Sequence, residues 1–395
     1  MTSQEQGTPQ PGKQFWRDRV RFDRNELAGS FGDIGTDLPL ILAMIPAAGL
    51  DAANVFLVFG LLQVLTGLIY GLPMPMQPLK AMAVIVITQQ IGGPVLFGAG
   101  LAIAAIMLVL SLTGLLDWLA RVIPKSVVRG VQLGLGLKLA SMALRDYVPA
   151  LGINGYILAG ACFVIIILLW RNRTMPASLP VIVLGAVYAS VTAIEWAGLQ
   201  WAARLPEPAV HVPTWDAIWT GLFVLAIPQL PLSLSNSVIA TQQTIRDLFP
   251  QRRVSVRRIG VTYGLANVLA SMLGGVPVCH GCGGLAGHHA FGARTGGSVV
   301  IYGLMFIILS LVLGDTVGAF VTAYPKPVLG IILLFEAVAL MMLIRDVAGD
   351  RTQFTIVLLV GAIAFGVPQG FVVGLLIGTA LWYFWNHRQS VSQNS

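Results

Sequence analysis

Residues 274–294, GGVPVCHGCGGLAGHHAFGAR, gather the chain's densest set of reactive side chains. Cys279, His280, Cys282, His288 and His289 invite a metal reading, that of a membrane-embedded metalloprotein. C-x2-C followed six residues later by a histidine pair is not a common zinc spacing, however, and glycine dominates between. The same stretch offers a second chemistry. Two glycines and Pro277 forbid regular helix before Val278, since proline lacks an amide donor and clashes with the preceding turn. A short helix can start near Cys279–Gly281 with its first amides unpaired. Such a start, placed within a membrane, points a positive dipole end at whatever anion lies there.

Two other stretches carry polar groups inside apolar surroundings. In PQLPLSLSNSVIAT, 228–241, Gln229, Ser233 and Asn236 or Ser237 share a helix face at i, i+4 and i+7 or i+8. Neutral donors there suit a small oxyanion, and equally suit hydrogen bonding between helices. In FGDIGTDLPL, 31–40, Asp33, Thr36 and Asp37 crowd one face. Carboxylates inside a bilayer are costly and usually functional. Asp37 is read as a candidate proton carrier. Asp33 is a second candidate, with the competing expectation of a hydrated position near the cytoplasmic end, paired with Arg24 or Lys80. Glu336 and Lys138 are further intramembrane charges whose roles the sequence leaves open, as gate or as packing ion pair.

The elements that position these residues follow from composition. Of 395 residues, 56% are hydrophobic and 10% charged, and the mean hydropathy is +0.80. Soluble domains carry about 25% charged residues, so the chain reads as an all-α polytopic membrane protein. Apolar runs fall near 27–48, 52–71, 78–90, 95–117, 124–144, 156–170, 180–198, 217–245, 258–273, 279–291, 296–313, 325–344, 353–367 and 369–386, about fourteen transmembrane segments. The third and tenth are too short to cross as full helices. Nineteen of the 24 Lys and Arg fall in loops on the side of the N-terminus and three on the other side. That asymmetry places both termini in the cytoplasm and accounts for the +7 net charge without nucleic acid. The polar start, MTSQEQGTPQPGKQFW, has no apolar core, so residues 1–25 are expected to be a cytoplasmic tail without a cleavable signal. Three cysteines give no disulfide framework; Cys162 reads as a packing residue.

The chain repeats itself. DLPLILA at 37–43 echoes QLPLSLS at 229–235, LPMPMQP at 72–78 echoes GVPVCH at 275–280 with Pro75 set on Pro277, and IPKSVVRGV at 123–131 echoes YPKPVLGII at 324–332. The three offsets, 192, 202 and 201, come in order. Seven segments separate the copies, and an odd number inverts the second across the membrane. This is the pattern of a 7+7 inverted repeat whose site lies at the midplane between paired broken helices. The expected division is 26–198 and 217–386 for the repeats, 199–216 for an extracytoplasmic connection and 387–395 for a short tail. In the first broken segment, prolines 73, 75 and 78 enforce extended backbone, and helix can start only around Pro78. If the two starts face each other, two sets of free amides converge on one spot.

FGDIGTDLPLILAM, PMPMQPLKAMA, QLPLSLSNSVIAT and VCHGCGGLAGHHAFGARTGGSVV resemble the motifs of the molybdate transporter family, a distant branch of the SulP sulfate permeases with the inverted-repeat fold of the uracil permeases. The likeness runs from about Glu26 to Trp385. It implies an inner-membrane importer of molybdate, with sulfate or tungstate as further candidate anions, no cofactor, no enzymatic activity, and a homodimer by analogy of fold. Carried over, the binding positions lie near Thr36, Gln77, Gln229, Ser233, Cys279, His280 and Gly281, with Pro78 and Asn236 beside them from the reading above. SulP permeases usually end in a STAS domain, and none is expected here. Nucleobase permeases of this fold use glutamates in segments eight and ten, and neither 217–245 nor 279–291 contains one. A sulfate permease of the same fold is the nearest alternative.

Overall fold

The computed structural model describes residues 19–116, 118, 122–170, 172, 175–193, 210–314 and 316–393. The expected tail up to residue 18 and residues 199–209 of the connection lie outside them. Sixteen α-helices and two three-residue strands are described: α1 Arg24–Ser30, α2 Ile34–Ala48, α3 Ala52–Tyr70, β1 Met76–Pro78, α4 Lys80–Gln89, α5 Gly93–Thr113, α6 Lys125–Met142, α7 Gly152–Leu168, α8 Ser178–Thr192, α9 Trp215–Leu248 (α-helix interrupted by π turns), α10 Val256–Met272, β2 Val278–His280, α11 Cys282–Ala290, α12 Gly297–Leu313, α13 Thr316–Ala323, α14 Lys326–Met342, α15 Arg351–Gly366 and α16 Gly370–Gln393. Polar caps start several of them. Asp51 accepts the Asn54 amide, Ser255 that of Arg258, and Asp350 those of Thr352 and Gln353.

Every expected apolar run holds a helix, with three departures. The run 27–48 is broken at Phe31–Asp33, where α1 and α2 meet at a 42° bend. Helix α13 was not foreseen; it turns off α12 by 110°. The half-helices begin at Lys80 and Cys282, two residues and one residue later than expected, because Met76–Pro78 and Val278–His280 pair as strands and hold the backbone extended first. Among the described residues, five helices are long and apolar enough to cross a membrane alone, or up to seven if each bent pair is one span.

The helices pack as two groups in a symmetric manner. In one, α3 lies along α12 and α5 along α10, which pairs the second apolar run with the eleventh and the fourth with the ninth. In the other, α6 packs on α14, α15 and α16, and α7 on α14. Glycines set the α3–α12 distance. A Cβ on Gly60 would lie 2.6 Å from the Gly303 carbonyl oxygen, and one on Gly296 would lie 2.0 Å from that of Gly67. Contact of backbone with backbone through small residues is how helices associate where lipid offers no hydrophobic drive.

Against α3 and α10 of the first group, β1 and β2 form a two-stranded antiparallel ladder, pairing Met76 with His280, Gln77 with Cys279 and Pro78 with Val278. The sequence alignment that sets Pro75 on Pro277 also sets Gln77 on Cys279, so the local two-fold axis runs through that central pair. Each strand is held from behind by an amide side chain. Gln63 Nε2 donates to the Met76 carbonyl at 2.6 Å and its Oε1 accepts the Met76 amide at 2.9 Å. Asn267 does the same to Val278, at 2.6 and 2.9 Å. Met76 and Val278 are themselves symmetry mates. Strand backbone at membrane depth needs partners of this kind, because hydrocarbon supplies none.

Candidate functional site

The strands deliver the chain to two half-helix starts. At α4, Lys80 is the first helical residue and Leu79 stands at the cap position with no oxygen to offer. The cap comes from elsewhere: Gln229 Oε1, on α9, accepts the amides of Ala81 at 2.9 Å and Met82 at 3.3 Å. Gln229 Nε2 then donates to Ser233 Oγ at 3.1 Å, and Ser233 Oγ lies 2.8 Å from the Tyr263 hydroxyl. Gln229 and Ser233 therefore sit at the site as expected from their shared face, with their hydrogen bonds spent inside the protein.

Ser233 also begins a π-helical stretch, Ser233–Ala240, so the regular i+4 spacing assumed for Asn236 and Ser237 does not hold there. π-Bulges are rare and concentrate at functional positions. Asn236 Oδ1 accepts from Cys282 Sγ at 3.0 Å, which ties α9 to the first residue of α11.

At α11, Gly281 is the cap and brings no side-chain hydrogen bond. A Cβ on Gly281 would lie 1.4 Å from Gln77 Oε1, so only glycine lets Gln77 reach past. Gln77 Nε2 donates to both carboxylate oxygens of Asp33 at 2.7 Å. A Cβ on Gly284 would lie 2.2 Å from Asp33 Oδ2, which places this carboxylate over the first turn of α11, at its positive end. Asp33 is 4% exposed. The expectation of a hydrated Asp33 is thus corrected: the carboxylate is buried beneath Gln77 and the first turn of α11, and the Lys80 ammonium is close enough to act on it by charge.

Asp37 is fully buried, and neither of its carboxylate oxygens has a hydrogen-bond partner among the described residues. The buried Tyr302 hydroxyl is likewise unpaired, and it lies close enough to couple to Asp37. Thr36 Oγ1 donates at 3.3 Å to Glu336 Oε2 on α14, whose other oxygen is ion-paired with Lys80.

Four of the five candidate metal ligands have separate partners. His280 Nε2 lies 2.8 Å from Thr262 Oγ1 and its Nδ1 3.3 Å from the Pro75 carbonyl, Cys282 faces Asn236, His288 Nδ1 lies 3.2 Å from Ser298 Oγ, and His289 stacks edge-on against Phe249. No group of three or more His, Cys, Asp or Glu side chains is poised to hold a metal among the described residues.

Sequence reasoning brought Asp33, Thr36, Gln77, Pro78, Gln229, Ser233, Asn236, Cys279, His280 and Gly281 to the strands, the half-helix starts and their immediate neighbours. It missed Gln63, Asn267 and Tyr263. The available signal was a buried amide in an otherwise apolar helix, eleven to thirteen residues before each interruption. It also missed Glu26, 2% exposed, which accepts the amides of Arg294, Thr295 and Ser298 and caps α12.

This arrangement is the fold of a membrane anion transporter. The chain superposes on the transmembrane domain of a cyanobacterial bicarbonate transporter, BicA, with TM-score 0.64 and 17% identity over 92% of this chain and 98% of that one. It superposes on the murine anion transporter Slc26a9 in its inward-facing state with TM-score 0.70 and 14% identity over 98% and 74%. A family model described as "Molybdate transporter of MFS superfamily" matches residues 25–139 and 221–340. "Molybdate transporter 1" of Arabidopsis thaliana is 32% identical over 90% of this chain and 88% of its own length. "Molybdate transporter 1" of Chlamydomonas reinhardtii is 26% identical over 94% and 93%. The chain belongs to the molybdate transporter family, and it is a multi-pass membrane protein and not an enzyme.

Proposed function

We propose that this protein imports molybdate across a cell (inner) membrane with both termini in the cytoplasm, crossing fourteen times and binding the anion at the facing starts of α4 and α11. The observation that carries this reading is the ladder centred on Gln77 and Cys279. It sets two helix N-termini about one axis, one headed by the Lys80 ammonium and the other by glycine-rich backbone whose cap residue brings no side chain. The 32% identity to a plant molybdate transporter favours molybdate among such anions, and sulfate and tungstate are the competitors to test. The helix group containing the ladder would move against the group built on α6, α14, α15 and α16 to alternate access.

Calorimetric titration of the purified protein with molybdate, competed with sulfate, tests the reading. Tight molybdate binding that excess sulfate barely displaces is expected; displacement at equal concentration would make it a general sulfate permease. Proton coupling is assigned to Asp37, the unpaired buried carboxylate. Asp37→Asn is expected to leave molybdate binding intact while removing the pH dependence of uptake into proteoliposomes, and a retained pH dependence would refute the assignment.

A further inference from the structure

Lys80 and Glu336 form an ion pair that joins the two helix groups at the site. Lys80 is the first residue of half-helix α4, and Glu336 lies on α14, which packs on α6 and α7. Thr36 of α2 donates to the second Glu336 oxygen. A lysine at a helix N-terminus opposes the local dipole, and a cation within a bilayer needs a partner. Glu336 meets both needs in this structure. Its carboxylate is held by one cation and one hydroxyl, a donor set equally suited to an oxyanion. The pair is also accessible, with 20% of the Lys80 side chain and 12% of that of Glu336 exposed. By contrast, the neutral donors at the α4 start are already engaged, its second and third amides by Gln229.

We infer that Lys80 is the residue that recognises the charge of the transported oxyanion, and that Glu336 is an internal counter-anion occupying Lys80 and Thr36 when the site is empty. This deepens the molybdate reading and rests on it for the identity of the ligand. On binding, the oxyanion takes the Lys80 ammonium and the Thr36 hydroxyl, and the Glu336 carboxylate is released from both. Release of Glu336 removes the polar tie between α14 and the α2–α4 side of the site, leaving only apolar packing there, so the helix groups shift more readily once an anion has arrived. An importer with this latch does not cycle empty at the rate it cycles loaded.

The two residues predict opposite effects, which a merely structural ion pair does not. With purified full-length protein and sodium molybdate as the titrant, Lys80→Gln should weaken binding on the order of tenfold or more, the loss of a direct charge contact. Glu336→Gln removes the competitor and should tighten binding by a comparable factor, and the double variant should bind as weakly as Lys80→Gln alone. Weakening by both single variants to the same degree, or unchanged affinity in Lys80→Gln, would overturn the inference.

The latch is also read without any ligand. Spin labels on the exposed residues Leu61 of α3 and Leu358 of α15 report the distance between the helix groups. Glu336→Gln should broaden that distance distribution in the absence of anion, and an unchanged distribution would overturn the latch. If neither molybdate nor sulfate binds the wild-type protein, the substrate reading fails by itself, while the distance measurement still decides the latch.

Discussion

The two broken segments, β1–α4 and β2–α11, share a frame and differ in nearly every side chain that faces the site. Both strands pair through one ladder, both are clamped by an amide from the helix just before them, and both hand over to a half-helix. Yet α4 opens Lys80-Ala81-Met82 and receives a neutral oxygen from Gln229, whereas α11 opens Cys282-Gly283-Gly284 and lies under the Asp33 carboxylate. The first half carries the cation. The second supplies bare backbone into which other groups can fit. One ladder thus sets the geometry for both segments, while charge and access are divided between them.

The comparison breaks most readily at Gly281. Gly281→Val drives a branched side chain into Gln77, separates it from Asp33, and is expected to abolish molybdate uptake in proteoliposomes. The cost of leaving buried polar groups unpaired is about 1–3 kcal/mol each. Next come the clamps: Asn267→Ala and Gln63→Ala each orphan one strand amide and one carbonyl, and each should lower stability by about 2–4 kcal/mol on the same scale. Thermal unfolding followed by the fluorescence of a thiol-reactive dye would register both. An effect from only one would show that the halves do not carry the ladder equally.

Gln229→Ala removes the cap of α4 and has no counterpart in α11. A lost helix cap costs about 1 kcal/mol, so a small fall in melting temperature is expected, with molybdate affinity preserved because the freed amides become available to the anion. Loss of affinity in calorimetry would show instead that Gln229 contacts the ligand. The smallest effect is set for Gly283→Ala. A Cβ there meets nothing within 4 Å, and replacing a helical glycine gains up to about 1 kcal/mol. Uptake unchanged and stability equal or higher would confirm that the glycines of α11 are not interchangeable: Gly281 and Gly284 make room for Gln77 and Asp33, and Gly283 makes room for nothing in the described structure.

Much of this was legible from the chain alone because it depends on backbone rules. Pro73, Pro75, Pro78 and Pro277 mark the interruptions, and the offset of 202 between Pro75 and Pro277 gives the register of a ladder that no propensity scale would suggest for such short strands. What stayed hidden depends on distance in space. Asp33 is 44 residues from Gln77, and Lys80 is 256 from Glu336. The break at Phe31–Asp33 that turns Asp33 inward contains no proline, and an apolar run conceals it. The π turn at Ser233–Ala240 was hidden for the same reason, since a helix that gains one residue per turn leaves the composition untouched.

The two clamps differ in one respect that bears on how such a molecule can be altered. Gln63 stands thirteen residues before its strand partner and Asn267 eleven before its own. The longer side chain belongs to the longer connecting segment, and under the offset of 202 the two anchors do not fall on matching positions: Gln63 lies against Leu265, and Asn267 against Leu65. A chain assembled from two copies of the first half would have to bring Gln63 along with Met76, because the position that matches Asn267 in that half is Leu65. Each half keeps a clamp position of its own, so the halves are interchangeable in outline and separate in their parts.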